Sequence, residues 1–151
     1  MAPDVPAEQS EERMAADLTR TFPRLWTIDA GVVMVVTDLH GDWDTYARCR
    51  DRFVDRHAAG QVDWLVFTGD MIHREPGDDP DRSLEIMLDV LALRAAYGDA
   101  IIVLCGNHEL PHLYGIILGK GRTLYTPSFE IALTTSGRRA DALAFFDTLP
   151  F

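Results

Sequence analysis

The segment VVMVVTDLHGD, residues 32–42, joins an apolar run to a short polar string. Four of its first five residues are valine, and a continuous β-branched run is typical of a strand buried on both faces. The run ends at Val36, and Asp38 and His40 follow almost at once. The segment therefore predicts a buried strand with a carboxylate and an imidazole just beyond its carboxyl end.

The same order of apolar run and polar string recurs twice along the chain. The later pairs are Val62–Thr68 with the string GDMIHR (69–74), and Ile101–Cys105 with the string GNHE (106–109). Helical patterns separate the three runs, one over about 43–59 and one over about 80–97. The alternation predicts an α/β fold with a parallel βαβαβ core joined by right-handed crossovers. Ligands bind at the carboxyl ends of such strands, where all three strings lie.

Two segments are predicted along the chain. Residues 1–23 are expected to form a mobile or helical N-terminal arm, and residues 24–151 are expected to form a folded domain. Within that domain, residues 24–37 are predicted to form a hairpin that turns at Asp29-Ala30-Gly31. Further helices are predicted after the third string, over residues 110–118, 127–135 and 139–149.

Composition limits the class of protein. The length of 151 residues fits one domain, and the net charge of −10 argues against a nucleic-acid partner, since phosphate backbones are bound by Lys and Arg. Bound cations are expected to neutralise part of that charge. The N-terminus lacks the features of a secretory signal, no apolar stretch reaches transmembrane length, and two cysteines do not suggest a disulfide. We expect a cytoplasmic protein without a membrane partner.

The residue types in the strings are those that bind metal ions. Asp38 and His40 are two residues apart and so point to the same side, and both side-chain types bind Zn, Mn and Fe. A single carboxylate such as Asp70 can bridge two cations, and the amide oxygen of Asn107 is a workable further ligand. His108 has the chemistry of a general acid. Each string alone is also compatible with an ordinary polar loop.

Two more residues are open to two interpretations each. Arg74 lies four residues after Asp70, where its guanidinium either holds phosphate or forms a surface ion pair with nearby acids. Glu109 either orients His108 or pairs with an arginine.

Together the strings resemble those of a known enzyme family. Asp-x-His-Gly, Gly-Asp and Gly-Asn-His-Glu on a βαβ scaffold are similar to the calcineurin-like metallophosphoesterase superfamily, over about residues 32–151. Gly41, Arg74 and Glu109 look most like the phosphoprotein (Ser/Thr) phosphatase branch. Residues 145–150 are similar to a segment that this branch carries just before its next metal-binding histidine. The resemblance implies the N-terminal part of a four-layer α/β/β/α sandwich.

The resemblance also implies a reaction and a role for each residue. The reaction is hydrolysis of phosphomonoesters, phosphoserine and phosphothreonine among them, by attack of a hydroxide that bridges two divalent or trivalent transition-metal ions (Mn, Fe or Zn). The implied roles are Asp38 and His40 as ligands of the first metal, Asp70 as the bridge, Asn107 as a ligand of the second metal, His108 as the leaving-group acid and Arg74 as the phosphate-binding residue.

The sequence departs from the branch at two places. His73, a further catalytic candidate, stands where the branch has an aspartate that supports the general-acid histidine. A neutral imidazole supplies no negative charge, so we expect His108 to be less basic than in relatives. The later histidines and the second arginine of the branch are absent, and His112 is predicted to be a surface or structural residue. We therefore expect the N-terminal portion of a longer enzyme, whose uncovered sheet face self-associates.

Two alternative functions remain open. The first is hydrolysis of a nucleotide or dinucleoside polyphosphate, since related family members share the three strings. The acidic segment 75–81 borders the predicted site and favours a monoester over such a highly charged substrate. The second alternative is a non-catalytic metal-binding remnant with an interaction role, which the incomplete second set of metal ligands supports.

Overall fold

The computed structural model describes residues 17–151 except Pro23, Pro76 and Asp78. The strands are β1 (Asp17–Phe22), β2 (Leu25–Ala30), β3 (Val33–Val36), β4 (Trp64–Phe67), β5 (Ile101–Val103), β6 (Gly119–Lys120) and β7 (Thr123–Leu124). The helices are α1 (Trp43–Ala58), α2 (Ser83–Tyr97), α3 (Leu110–Tyr114), α4 (Tyr125–Ser136) and α5 (Arg139–Asp147), with a 3-10 turn over Gly98–Ala100.

A three-stranded parallel sheet in the order β3-β4-β5 lies at the centre of the fold. Its register pairs Val35 with Val66, and Val66 with Ile102. Helix α1 connects β3 to β4, and α2 connects β4 to β5. Strand order follows chain order, so right-handed crossovers put both helices on the same face of the sheet. The predicted α/β class and the parallel βαβαβ core are confirmed.

The helix-covered face of the sheet holds the hydrophobic core. Val36, Phe67 and Val103 end the three strands on that face, and all three are buried. They belong to one apolar cluster with side chains from four helices, among them Tyr46, Phe53, Met87, Val90, Phe129 and Phe146. Removing this apolar surface from water favours the folded arrangement. Burial of this core thereby keeps the three loops that follow β3, β4 and β5 side by side.

The opposite face of the sheet is partly open. Val33 and Val35 on β3 are 37% and 57% exposed, whereas all three residues of β5 are buried. The prediction that the first apolar run is buried on both faces is therefore wrong for β3, because its helices cover one side only. Self-association through this face stays a prediction.

An antiparallel hairpin of β1 and β2 precedes the central sheet. Leu18 pairs with Ile28, so the chain reverses between Phe22 and Leu25 rather than at residues 29–31 as the sequence predicts. Gly31, with φ +114°, bends the chain into β3, which belongs to a different sheet. The predicted arm lies outside the described residues up to residue 16, and its last part is strand β1 instead of helix.

The helices after β5 follow the predicted order with different bounds. Helix α3 stops at Tyr114 because Gly115 adopts a left-handed conformation, and its N–H donates to the Pro111 carbonyl. The short hairpin β6–β7 then precedes α4, and a two-residue strand carries too little pattern to be predicted. Among the described residues, none of the helices combines the length and apolar character of a membrane span.

Two glycines let the loops after β4 and β5 touch. A Cβ atom on Gly69 would lie 2.4 Å from the Gly106 nitrogen, and Gly69 has a φ of +91°. A Cβ atom on Gly106 would lie 2.3 Å from the Asp70 nitrogen and 2.5 Å from Glu109 Oε2. These atoms are backbone or firmly hydrogen-bonded, so neither position has room for a side chain.

We expect Gly106→Ala to lower the free energy of unfolding by about 1–3 kcal/mol, because the added methyl group overpacks the contact between the two loops. Gly77→Ala is the matched control, since a Cβ atom there meets nothing closer than 3.9 Å. Urea denaturation of both variants measures the difference. Equal stability of Gly106→Ala and the control would contradict the proposed close contact.

Candidate active site

Backbone hydrogen bonds join the loops that follow β3 and β4. The amide of His40 donates to the Asp70 carbonyl at 2.9 Å, and the amide of Gly41 donates to the Met71 carbonyl at 2.9 Å. These bonds continue the pairing of the two strands beyond their ends. The first and second polar strings therefore lie against each other.

The buried carboxylate of Glu109 joins the loops that follow β4 and β5. Its Oε2 accepts from the amides of Asp70 (2.8 Å) and Gly106 (3.0 Å), and its Oε1 accepts from Met71 (2.8 Å). Burial raises the pKa of Glu109, while the hydrogen bonds from the Asp70 and Met71 amides oppose that shift. The carboxylate binds backbone amides, so the interpretation that Glu109 pairs with an arginine is wrong. Glu109 is linked to His108 through Asp70, whose carboxylate accepts from the His108 amide, and its role in orienting His108 stays a prediction.

Backbone strain is concentrated in the predicted site. Among the described residues, the non-glycine residues with positive φ are Asp38 (+48°), His40 (+44°), Asp70 (+52°) and His73 (+70°). Such a conformation costs about 1–3 kcal/mol per residue and persists only where the surrounding structure imposes it. All four residues are site candidates from the sequence. Strain of this kind clusters at functional sites.

Three potential metal ligands converge at the strand ends. His40, Asp70 and His108 each offer a ligand atom, and these atoms lie within 4.8 Å of one another. Asp70 Oδ1 also accepts a hydrogen bond from the His108 amide at 2.9 Å. His40 and Asp70 are predicted ligands that the structure brings together. His108, predicted as a general acid, lies in the same cluster.

The other two predicted ligands lie at the margin of this cluster. Asp38 has a side chain that is 65% exposed, and its Oδ1 is 3.8 Å from His40 Nε2. Asn107 is exposed, between Gly106 and His108.

The chemistry of the clustered side chains fits a transition-metal ion. Two imidazoles and a carboxylate are ordinary ligands for Zn, Mn and Fe. Burial lowers the pKa of His108, and the nearby Asp70 carboxylate opposes this shift only in part. A neutral imidazole is the form that binds a metal. Burial is the largest cause of this shift, so the expectation that His73 makes His108 less basic than in relatives stays a prediction.

His73 is buried beside the cluster. Its amide donates to Ser83 Oγ at 2.8 Å, and its Nδ1 lies 3.2 Å from His108 Nδ1. Burial, and then the neighbouring His112 and His108, lower the pKa of His73 to about 3, so it is neutral at physiological pH. His73 thus occupies the supporting position beside His108 that the sequence analysis predicts for it.

His112 and Glu130 extend this contact away from the cluster. His112 is buried, and its Nε2 lies 2.8 Å from His73 Nε2, so of its two predicted roles, surface or structural, the surface role is wrong and the structural role agrees with its position. His112 Nδ1 lies 2.8 Å from Glu130 Oε1. Glu130 lies on α4, 18 residues after His112, and belongs to no motif, so the sequence carries no signal for it. Packing of α4 against α3 brings it there.

A cavity of about 650 Å³ opens beside His40, His73 and His108. Arg74 lines it, with Nη2 2.8 Å from Asp79 Oδ2 and Nη1 3.7 Å from Asp42 Oδ2. Arg74 therefore faces the site and is also paired with acids. Both interpretations from the sequence, a phosphate-binding residue and an ion pair with nearby acids, have support.

A second cation, Lys120, lines the same cavity and forms an ion pair with Glu75 at 2.6 Å. The sequence analysis missed Lys120, because the short hairpin β6–β7 that carries it was not predicted.

Comparisons with known proteins agree with this architecture. The model of a family described as calcineurin-like phosphoesterase matches residues 31–150. No curated protein and no solved structure gave a match. The matched range includes the central sheet, all three strand-end strings and the converging ligands. The chain belongs to the calcineurin-like phosphoesterase family.

Proposed function

We propose that this protein is a metal-dependent phosphomonoesterase. The observation that carries the proposal is the convergence of His40, Asp70 and His108 at the edge of a cavity that also contains the cations Arg74 and Lys120. Hydrolysis of a phosphate ester needs both the metal ligands and the cationic side chains. Metal ligands alone do not select an anionic substrate, and cationic side chains alone do not activate water. Membership of the phosphoesterase family supports the same reaction class.

Two transition-metal ions, Mn, Fe or Zn, would be held by Asp38, His40, Asp70 and Asn107, and the exposed side chains of Asp38 and Asn107 leave their oxygens accessible. His108 lies in the same cluster but is assigned to proton donation and not to metal binding. When bound, such ions lower the pKa of water and stabilise the charge that develops on the phosphoryl group. Asp70 belongs to the loop held by Glu109, so its carboxylate has a fixed position between the first and third strings.

The protein side chains bind the substrate and supply a proton. Arg74 exchanges its contact with Asp79 for the phosphoryl oxygens, with which a guanidinium forms two parallel hydrogen bonds. Lys120, which also lines the cavity, offers a second positive charge. His108 donates a proton from Nε2 to the leaving oxygen, while its Nδ1 remains hydrogen-bonded to His73.

The charges of the cavity favour a monoester as substrate. The carboxylates of Asp42, Glu75 and Asp79 line it with the two cations, so a nucleoside or dinucleoside polyphosphate would meet like charges. Phosphoserine and phosphothreonine are the substrates we propose, since Gly41, Arg74 and Glu109 are similar to the Ser/Thr phosphatase branch. Hydrolysis of polyphosphates is the alternative, and comparing the rates on monoesters and on ATP distinguishes the two.

We expect the 151-residue chain to hydrolyse p-nitrophenyl phosphate and a phosphoserine peptide in the presence of Mn²⁺, and to prefer both to ATP. Asp70→Asn keeps the shape of the side chain but removes its charge. It should weaken Mn²⁺ binding at least about tenfold and lower kcat/KM about 100-fold or more. Calorimetry measures metal binding, and steady-state kinetics measure activity.

Asp141→Asn is the matched control, because Asp141 lies on α5 and forms an exposed ion pair with Arg138. It should leave both quantities unchanged. Mn²⁺ binding without hydrolysis of any of the three substrates would contradict the proposed enzyme and favour a metal-binding remnant. Faster hydrolysis of ATP than of the monoesters would contradict the proposed substrate class.

Arg74→Ala should raise KM for p-nitrophenyl phosphate about tenfold or more, because a hydrogen bond to a charged group contributes about 1.5–3 kcal/mol. Mn²⁺ affinity should not change, since the guanidinium contacts acids at the cavity wall and not the ligand cluster. Arg56→Ala is the control, because Arg56 bonds to Gln61 near the end of α1. An unchanged KM in Arg74→Ala would assign Arg74 to a structural ion pair.

A further inference from the structure

A continuous hydrogen-bond network runs from the candidate site to the surface of α4. It consists of three imidazoles, a carboxylate and a guanidinium: His108, His73, His112, Glu130 and Arg139. The successive contacts are His108 Nδ1 to His73 Nδ1 (3.2 Å), His73 Nε2 to His112 Nε2 (2.8 Å), His112 Nδ1 to Glu130 Oε1 (2.8 Å), and Arg139 Nε to Glu130 Oε2 (2.7 Å). We call this the imidazole network.

The carboxylate end of the imidazole network sets the direction of its hydrogen bonds. An ionised carboxylate can only accept, so His112 must carry its proton on Nδ1. Burial alone would raise the pKa of Glu130, but the hydrogen bonds from His112 and Arg139 outweigh it and lower the pKa. Burial also lowers the pKa of His112, which disfavours a second proton on the ring. With its proton on Nδ1, toward Glu130, the ring has its lone pair on Nε2.

Each contact between two ring nitrogens holds one proton, so one nitrogen donates and the other accepts. The choice at one contact therefore decides the choice at the next contact in the imidazole network. His73 donates from Nε2 to His112 Nε2 and therefore has a lone pair on Nδ1. That lone pair accepts from His108, which must carry its proton on Nδ1. The remaining ring nitrogen of His108, Nε2, is then the unprotonated one.

Packing holds the central imidazoles in place. The ring of His73 stacks on Tyr125 at an interplanar angle of 12°, and Phe129 forms T-shaped contacts with both His73 and His112. The His112 side chain is fully buried. Rings that are enclosed in this way cannot turn to exchange their two nitrogens without disrupting the core around them.

We propose that Glu130 is a positioning residue that, through His112 and His73, fixes which ring nitrogen of His108 carries the proton. Only the task of His108 as a proton donor rests on the proposed function. As a proton donor, His108 takes up a proton at Nε2 and passes it to the leaving oxygen. Nε2 then has its lone pair again, and Nδ1–H stays hydrogen-bonded to His73 throughout. His73 thereby supplies, as a neutral acceptor, the hydrogen bond that a carboxylate would otherwise provide.

Glu130→Gln tests the proposal, because in each of the three imidazoles it should move the proton from one ring nitrogen to the other. We expect the glutamine oxygen to keep accepting from Arg139 Nε–H, and its NH₂ group to donate to His112 Nδ1. His112 then donates from Nε2, His73 donates from Nδ1, and His108 is protonated on Nε2. Long-range ¹H–¹⁵N NMR of the imidazole nitrogens, on the metal-free full chain near neutral pH, reports the protonated nitrogen of each ring.

A second substitution should restore the original arrangement. In Glu130→Gln with Arg139→Met, the amide oxygen is free to accept from His112 Nδ1, so His108 returns to the Nδ1–H form. Arg139→Met alone keeps the carboxylate and should give the wild-type pattern. This rescue separates proton placement from general loss of packing, which a second substitution would not repair.

The wild-type spectrum is already decisive if Glu130→Gln does not fold. We expect His108 and His112 to be protonated on Nδ1, and His73 to be protonated on Nε2. Wild-type His108 protonated on Nε2, or a doubly protonated His112, would overturn the proposal. A folded Glu130→Gln variant with an unchanged His108 form would also overturn it. None of these results depends on catalytic activity, so failure of the proposal is distinguishable from failure of the proposed function.

Discussion

The site depends on one buried carboxylate that is shared by two loops. Glu109 accepts hydrogen bonds from the amides of Asp70, Met71 and Gly106, of which the Met71 contact is buried and the other two are partly buried. A buried amide without a partner costs about 1–3 kcal/mol, so three such bonds are enough to hold the strained backbone at Asp70. The Asp70 carboxylate then meets the amide of His108, and the second and third strings become one rigid unit.

The support of His108 comes from a different source. A carboxylate beside it would raise its basicity, whereas His73 offers a neutral acceptor whose own proton is placed by His112 and Glu130. The negative charge lies instead on Glu130, in the middle of α4, where Arg139 forms an ion pair with it. The arrangement keeps a hydrogen bond on His108 Nδ1 without adding a further anion to the cavity that we propose as the phosphate site.

Local pattern predicts the sheet and the strand-end strings because β-branched runs and helical periods are properties of short segments. The same locality places His40 and Asp70 at one edge, since parallel strands align their carboxyl ends. The hairpin turn was misplaced because Gly31 marks a bend between two sheets rather than a reversal. The roles of Glu109, His112 and Glu130 depend on contacts between residues 18 to 39 positions apart, which no spacing rule reveals.

The most direct test of a metal centre at the strand ends uses the five histidines as reporters. Mn²⁺ is paramagnetic and broadens the NMR signals of nearby nuclei. During a Mn²⁺ titration of the full chain, the imidazole signals of His40 and His108 should disappear first. His57 should stay sharp, because it bonds to the Val62 carbonyl before β4, at the opposite edge of the sheet. Equal broadening of all five, or early loss of His57, would contradict the account.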